Sequence, residues 1–377
     1  MSRHRTAEQS PKLAGFIWWA LLLVPVILVQ PSVSYTHNSL SWLSYLRSRG
    51  NSYGYSRLHA QYQVGQWADG NGEEGDCPLE CDCPSLYPRA MYCHSRNLQH
   101  VPYVPSRMKY VYLHNNRITS IQQGVFDNAT DLVWVILHKN HLRSDKIGKN
   151  VFSRLKSLQK LYLDHNNLTS VPQNLPTSLV DLRLNNNNIS KLSYGSFQGM
   201  LHLQTLRLQR NTIEEVGGAL KGLESLALLE LGGNLLKKVP ESLPEKLQQL
   251  YLEYNHITSV SDNFFSQRPS LQFVRLSHNQ LTNSGIPTNT FNVSSLVELD
   301  LSHNHLEKIP TISTSLENLY LQANHIKEFS VKSFCRVVDV TNYSQIRVLR
   351  LDANKIRASD VPPEAVLCLR LATVIDI

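Results

Sequence analysis

From about residue 108 onward the chain repeats one arrangement of apolar and polar positions, L-x-x-L-x-L-x-x-N-x-L. The frame begins at Met108, Leu132, Leu158, Leu179, Leu203, Leu226, Leu247, Leu271, Leu296, Leu316 and Ile346, eleven copies in all. Its polar slot is filled each time by asparagine: Asn116, Asn140, Asn166, Asn187, Asn211, Asn234, Asn255, Asn279, Asn304, Asn324 and Asn354. Apolar residues two apart predict a short strand with one face inward. The asparagine after them predicts a sharp bend, where a buried carboxamide supplies donors and acceptors to backbone groups that water cannot reach. A coil of this length cannot bury its apolar edge alone, so the copies must stack. The fold class expected is a leucine-rich repeat solenoid, a curved right-handed coil with a concave parallel β-sheet and disulfide-stapled caps.

Copies start 24, 26, 21, 24, 23, 21, 24, 25, 20 and 30 residues apart, so two long units alternate with one short unit. Most long units carry a phenylalanine after the strand, at Phe126, Phe152, Phe197, Phe265, Phe291 and Phe334, which predicts an apolar spine on the outer side. Short units carry the proline-bearing segments "VPQNLP", "VPESLP" and "IPTIS", suited to extended backbone without ladder bonds.

The residue between the two inner leucines points into the concavity. Down the stack it reads Tyr112, Ile136, Tyr162, Arg183, Arg207, Glu230, Tyr251, Arg275, Asp300, Tyr320 and Arg350. Tyrosine and arginine are enriched where proteins bind proteins, which favours a recognition surface about 50 Å along its edge at a strand spacing of about 4.8 Å. The competing account is that exposed strands tolerate aromatics for their own sake.

Outside the repeats, Arg3, Arg5 and Lys12 precede the apolar run "FIWWALLLVPVILV", which is followed by "SVS" at 32–34. This predicts a secretory signal peptide over 1–34; an uncleaved anchor is the alternative, for which the run is short. No second apolar run of spanning length follows, so no membrane anchor is expected. Residues 35–76 read as a flexible tail, low in aliphatic residues, with Tyr35, Tyr45, Tyr53, Tyr55 and Tyr62 among Ser, Arg, His and Gln. Residues 77–107 form a cysteine cap with the spacing C-x3-C-x-C-x9-C at Cys77, Cys81, Cys83 and Cys93. Repeats 1–10 occupy 108–345, with an elongated unit at 316–345, and 346–377 hold the last repeat and the C-terminal cap. Cys335 and Cys368 bracket that end. An even cysteine count at both ends of a secreted solenoid reads as disulfide staples; a zinc cluster is the alternative, without the usual paired C-x2-C spacing.

Lys and Arg exceed Asp and Glu by seven, but no run of four bases appears, so neither heparin nor nucleic acid is expected as a partner. His114, His138, His165, His278 and His303 fall near strand ends but on different coils, and metal binding is not expected. No G-x-S-x-G elbow, phosphate loop or H-E-x-x-H motif is present, no cofactor is implied, and no enzymatic activity is expected. Asp164 and His165 are adjacent, and adjacent strand residues face opposite ways unless the backbone has begun to turn. N-glycosylation sequons stand at Asn128, Asn167, Asn188, Asn292 and Asn342, none of them a repeat asparagine. In the pair Asn166–Asn167, the first residue is structural and the second is free for chemistry.

The stretches "CPLECDCPSLYPRAMYC", "VPSRMKYVYLHNNRITSIQQGVFDNAT", "LYLDHNNLTSVP" and "LENLYLQANHIKEFSVKSFCRVVDV" resemble the small leucine-rich repeat proteoglycans, and the resemblance covers nearly all of 77–377. It implies a secreted extracellular-matrix protein that binds fibrillar collagen of types I and II and limits fibril diameter. It implies the pairings Cys77–Cys83, Cys81–Cys93 and Cys335–Cys368, and an "ear" formed by the long unit containing Cys335. Keratan sulfate on several sequons is implied too, with Asn188 displaced from the family's usual positions. Family members have acidic neighbours beside their sulfated tail tyrosines; here those neighbours are absent, so sulfation is not expected. In the last full repeat the family presents an acid and a base as collagen-binding groups, and the matching positions are Lys355 and Arg357. The acid has become a base, which implies an altered site preference. Candidate collagen contacts are therefore Lys355 and Arg357 with Tyr162, Arg183, Arg207, Tyr251, Arg275, Tyr320 and Arg350. Alternative readings are a soluble binder of transforming growth factor beta and a stromal proteoglycan of the same class with different collagen sites.

Overall fold

The computed structural model describes residues 76–377. The signal peptide expected over 1–34 and the tail with its five tyrosines lie outside the described residues. Thirteen three-residue strands form one all-parallel sheet in strict sequence order, from β1 (Ala90–Tyr92) and β2 (Tyr110–Tyr112) to β12 (Val348–Arg350) and β13 (Val374–Asp376). Strands β1 to β12 bury their middle residue, as Val111, Leu161 and Leu250 do, and most turn the outer two toward solvent, whereas all three residues of β13 are exposed. That is the period-two alternation of the repeat frame at work.

Two strands lie beyond the eleven predicted. In β1, Met91 and Cys93 take the leucine slots, and an antiparallel bridge from Asp82 to Tyr92 closes the amino edge. At the other end β13 pairs with β12 in register, Arg350 opposite Asp376, without an asparagine of its own.

All eleven repeat asparagines make the same three bonds. Asn211 is typical: Nδ2 donates to Leu208 O of its own coil at 2.9 Å and to Leu184 O of the preceding coil at 3.0 Å, while Oδ1 accepts from Ile189 N of the preceding coil at 2.9 Å. Asn116 binds the cap in this way through Cys93 O, Arg96 N and Leu98 N. Directly before each asparagine the backbone is left-handed, with φ between 53° and 65° from Asn115 to Ala353. A side chain at such φ costs about 1 kcal/mol, which the following carboxamide bonds offset. Ten asparagines are buried, but Asn354 is only half-buried, because the coil after it is the short cap.

Phe126, Phe152, Phe197, Phe265, Phe291 and Phe334 are all fully buried on the far side of the core. Phe126 lies 5.9 Å from Phe152 and Phe265 lies 5.2 Å from Phe291, ring centre to ring centre. Phe264 and Phe329 extend the spine beyond the predicted set. Arg268, almost wholly buried, packs over Phe264 and donates to the carbonyls of Phe264 and Glu241, tying a long unit to the preceding short one.

Disulfides join Cys77 to Cys83, Cys81 to Cys93 and Cys335 to Cys368. Between β11 (Asn318–Tyr320) and β12 the elongated unit makes a single 3-10 turn, Val331–Ser333, followed by a stretch in which Arg336, Val337 and Val340 to Asn342 are exposed. Arg370 anchors it, stacking on Tyr343 at 3.6 Å and donating to Val340 O at 2.8 Å. Asp339 folds the tip of that unit by accepting from the backbone of Thr341 and Asn342.

Candidate functional site

The concave sheet face is a set of columns, because equivalent residues of in-register strands lie one above another. Tyr162 of β4 (Lys160–Tyr162) sits opposite Arg183 of β5 (Asp181–Arg183), which sits opposite Arg207 of β6 (Thr205–Arg207). The predicted ladder is therefore real as a column, with one correction. Ile136 stands in the column between Tyr112 and Tyr162 but is only 6% exposed, so it offers little surface to a partner.

The arginines of the ladder are not free cations. Arg183 pairs with Asp181 at 3.2 Å, Arg207 with Glu230 at 2.7 Å, Arg275 with Glu298 at 3.0 Å and Arg350 with Asp352 at 2.8 Å. Arg350 also reaches Asp376 at 3.1 Å. Two guanidinium groups stack on tyrosine rings of the coil before, Arg183 on Tyr162 at 3.8 Å and Arg275 on Tyr251 at 5.0 Å. The phenols are engaged as well: Tyr162 Oη donates to Asp181 at 2.7 Å and Tyr251 Oη to Gln249 at 3.0 Å. Tyr92 and Tyr112 stack in parallel at 4.9 Å. Each side chain is thus fixed by a neighbour one coil away, and positive and negative charge alternate over a few ångströms.

Partial burial shifts the ionisation of this face. Desolvation raises the Tyr112 phenol to about 12 and raises Glu230 even with Arg207 beside it. Glu253 is also raised by burial; its Oε2 is buried without a hydrogen-bond partner. Its carboxylate fills the space left by Gly232, where a Cβ would lie 2.5 Å from Glu253 Oε1.

The histidines form two columns rather than a cluster. His94, His114 and His138 stack at 4.7 and 4.6 Å, and Tyr254, His278 and His303 at 4.1 and 4.0 Å. Burial, followed by the neighbouring imidazoles, lowers His114 to about 3. Among the described residues no three His, Cys, Asp or Glu side chains come together to hold a metal ion. His165 occupies the left-handed slot before Asn166, so the backbone has turned and its Nδ1 meets Asp164 at 2.9 Å.

Lys355 and Arg357 are exposed and lie beyond Asn354, off the sheet and on its rim. Arg357 pairs with Asp360 at 3.4 Å, and the structure does not bring either residue into the ladder. Four sequon asparagines, Asn128, Asn167, Asn188 and Asn342, are exposed, and Asn292 is half-buried. Asn292 and Asn342 line one groove of about 630 Å³ beneath the elongated unit.

Comparison with known proteins agrees with this architecture. Residues 76–105 match the leucine rich repeat N-terminal domain, 106–168 and 177–236 the leucine rich repeat, and 244–349 the BspA type leucine rich repeat region. The chain is 51% identical to fibromodulin from Bos taurus over 374 residues, covering 96% of this chain and all of that one. It is 50% identical to fibromodulin from Homo sapiens over the same span, and 49% identical to lumican from Coturnix japonica over 303 residues, 80% of this chain and 88% of that one. This chain belongs to the small leucine-rich repeat proteoglycan family. Among solved structures, a chain of the latrophilin 3, Unc5D and FLRT2 complex superposes with a TM-score of 0.61 at 29% identity, covering 79% of this chain and 83% of that one. An internalin from Listeria monocytogenes shares the fold alone, at 21% identity and a TM-score of 0.57, covering 76% of this chain and 79% of that one. As a small leucine-rich repeat proteoglycan, the chain is an extracellular-matrix protein of a structural family. Among the described residues no helix is long and apolar enough to cross a membrane.

Proposed function

We propose that this protein is secreted, binds fibrillar collagen of types I and II through the concave face of the solenoid, and so limits the lateral growth of fibrils. The observation that carries the reading is the state of the ladder: Tyr162, Arg183, Arg207, Tyr251, Arg275 and Arg350 are held by partners one coil away or in their own coil before any ligand arrives. Little side-chain entropy then remains to be lost on binding. A surface that alternates charge sign over a few ångströms suits a rod-like partner presenting both signs and no cavity of its own. Lys355 and Arg357 on the rim add unlike selectivity to the same contact, two bases beside a mixed-charge face. The sequons carry N-linked chains, extended on some asparagines to keratan sulfate, which project away from the sheet.

The test is co-sedimentation of the non-reduced protein with collagen I during fibril assembly, with fibril diameters measured and Arg183→Ala and Lys355→Glu variants alongside. Saturable pelleting with thinner fibrils is expected. Arg183→Ala should weaken pelleting, while Lys355→Glu should redistribute binding along the fibril. Pelleting no greater than that of an unrelated repeat protein refutes the reading, and transforming growth factor beta then becomes the partner to measure.

A further inference from the structure

Asn167 and Asn188 stand at the same place in consecutive coils. Each directly follows a repeat asparagine, Asn166 or Asn187, and each is five residues beyond a ladder residue in a register that pairs Tyr162 with Arg183. Equivalent points of neighbouring coils are about 4.8 Å apart. Contact is direct in the backbone: Asn188 N donates at 2.8 Å to the carbonyl of Leu168, the residue after Asn167. Both residues are exposed, and neither side chain makes a hydrogen bond among the described residues. No other two sequons share this relation.

Transfer of an oligosaccharide to either residue follows one balanced step. Asparagine Nδ2 attacks C1 of the first N-acetylglucosamine of a polyprenyl-pyrophosphate-linked oligosaccharide and loses one proton. The C1–O bond breaks, its electron pair leaves with the pyrophosphate, and a C1–N bond forms. In the unfolded chain 21 residues separate the two acceptors, so neither hinders the other. Folding brings the two first sugars to a separation about as wide as a pyranose ring. Single rings fit there side by side, but branched antennae do not, nor does a transferase reaching for one antenna past the other.

The two positions are not equivalent in what surrounds them. Toward the amino end, the slot equivalent to Asn167 holds His141 and then Arg117, which with Lys139 and His165 help line a groove of about 480 Å³. Asn188 faces Asn167 on one side and Thr212 and Leu235 of the following coils on the other. A chain on Asn167 has room to lean away, across bases that complement sulfate or sialic acid.

We propose that Asn167 and Asn188 form one coupled modification site, in which Asn167 carries the extended anionic chain and its presence keeps the chain on Asn188 short. The inference rests on the glycoprotein reading above, and Asn128, exposed on another coil, separates the two.

Lysines 160 and 191 bracket both residues with no lysine between them, so cleavage after lysine releases one peptide, 161–191, that reports both sites of the same molecule. The full chain, secreted from mammalian cells, is compared with Asn167→Gln and Asn188→Gln by mass spectrometry of that peptide and of the one containing Asn128. Neither substitution removes a bond, so folding is unaffected. Doubly extended peptides should fall several-fold below the product of the single-site frequencies, and Asn167→Gln should raise extension at Asn188 several-fold while Asn128 stays unchanged. Doubly extended peptides at the product frequency, extension at Asn188 indifferent to Asn167→Gln, or extension confined to Asn188 would each overturn the proposal with the glycoprotein reading intact. Empty Asn128, Asn167 and Asn188 together would refute both.

Discussion

Replacing Asn211 by alanine removes three hydrogen bonds and strands one backbone group. Leu184 O keeps the donor Asn187 Nδ2 and Leu208 O keeps Asn234 Nδ2, but Ile189 N loses its acceptor in a buried contact. The stranded amide costs about 1–3 kcal/mol and each of the two other lost bonds about 0.5–1.5 kcal/mol, so the expected loss is about 2–6 kcal/mol. The same substitution at Asn354 removes the bonds to Leu321 O, which keeps Asn324 Nδ2, and to Leu351 O and Ile326 N, around a half-buried asparagine that water can reach. Bonds that water can replace contribute about 0.5–1.5 kcal/mol each at most, so Asn354→Ala should cost less than Asn211→Ala. Urea unfolding of the two variants and the parent, disulfides intact, followed by far-ultraviolet circular dichroism, gives the comparison. Hydrogen exchange adds where the loss falls: Asn211→Ala should release amides, Ile189 first, in the preceding coil and not in the coil that follows. Equal losses for the two variants would show that the carboxamides do not stand in for water at buried backbone, and the argument would fail.

Two further outcomes follow from the same geometry. Burial raises the Glu253 carboxyl in the folded chain, so its ionised form opposes folding at neutral pH, and stability contributed by its protonation appears as pH falls through the raised folded value. Glu253→Gln should therefore stabilise at pH 7 and lose its advantage toward pH 4 in paired denaturation curves; an advantage that grows on acidification would contradict this. Removing the last staple with Cys335→Ser and Cys368→Ser together should cost about 2–4 kcal/mol and raise exchange only in the final coils, and protection lost uniformly from β2 onward would show that the ends are not independent.

The repeat and its asparagine ladder were legible because both depend on a period, and a period survives any single substitution. Strands β1 and β13 were not, because Met91 and Cys93 replace leucines at one end and the other end has no asparagine. The pairing of the arginines was half legible. Asp181 and Glu298 stand two positions before a ladder residue, on the same strand face, but which acid meets which arginine depends on rotamers that spacing does not set. The left-handed residue before each asparagine went unread, since Lys139, Arg210, Tyr254 and Ala323 are not residues that mark such a turn. Only Gly233, Asn115 and Asn186 hinted at it. The stacking of Asn167 on Asn188 was available in the frame, where both occupy the slot after the asparagine, once two sequons were compared across coils instead of one at a time.

Every asparagine of the ladder reaches backward. Its oxygen and one of its amide hydrogens go to the preceding coil, and none of the three shared bonds goes to the coil that follows. A coil is therefore finished by its successor, and the cap at Cys93 is finished by Asn116. A chain synthesised amino end first can close one coil each time the next asparagine emerges, without waiting for the remainder. Growth of this kind has a direction and a last step. At β13, whose strand has no asparagine of its own, Cys368 returns to Cys335 and fixes the turn instead.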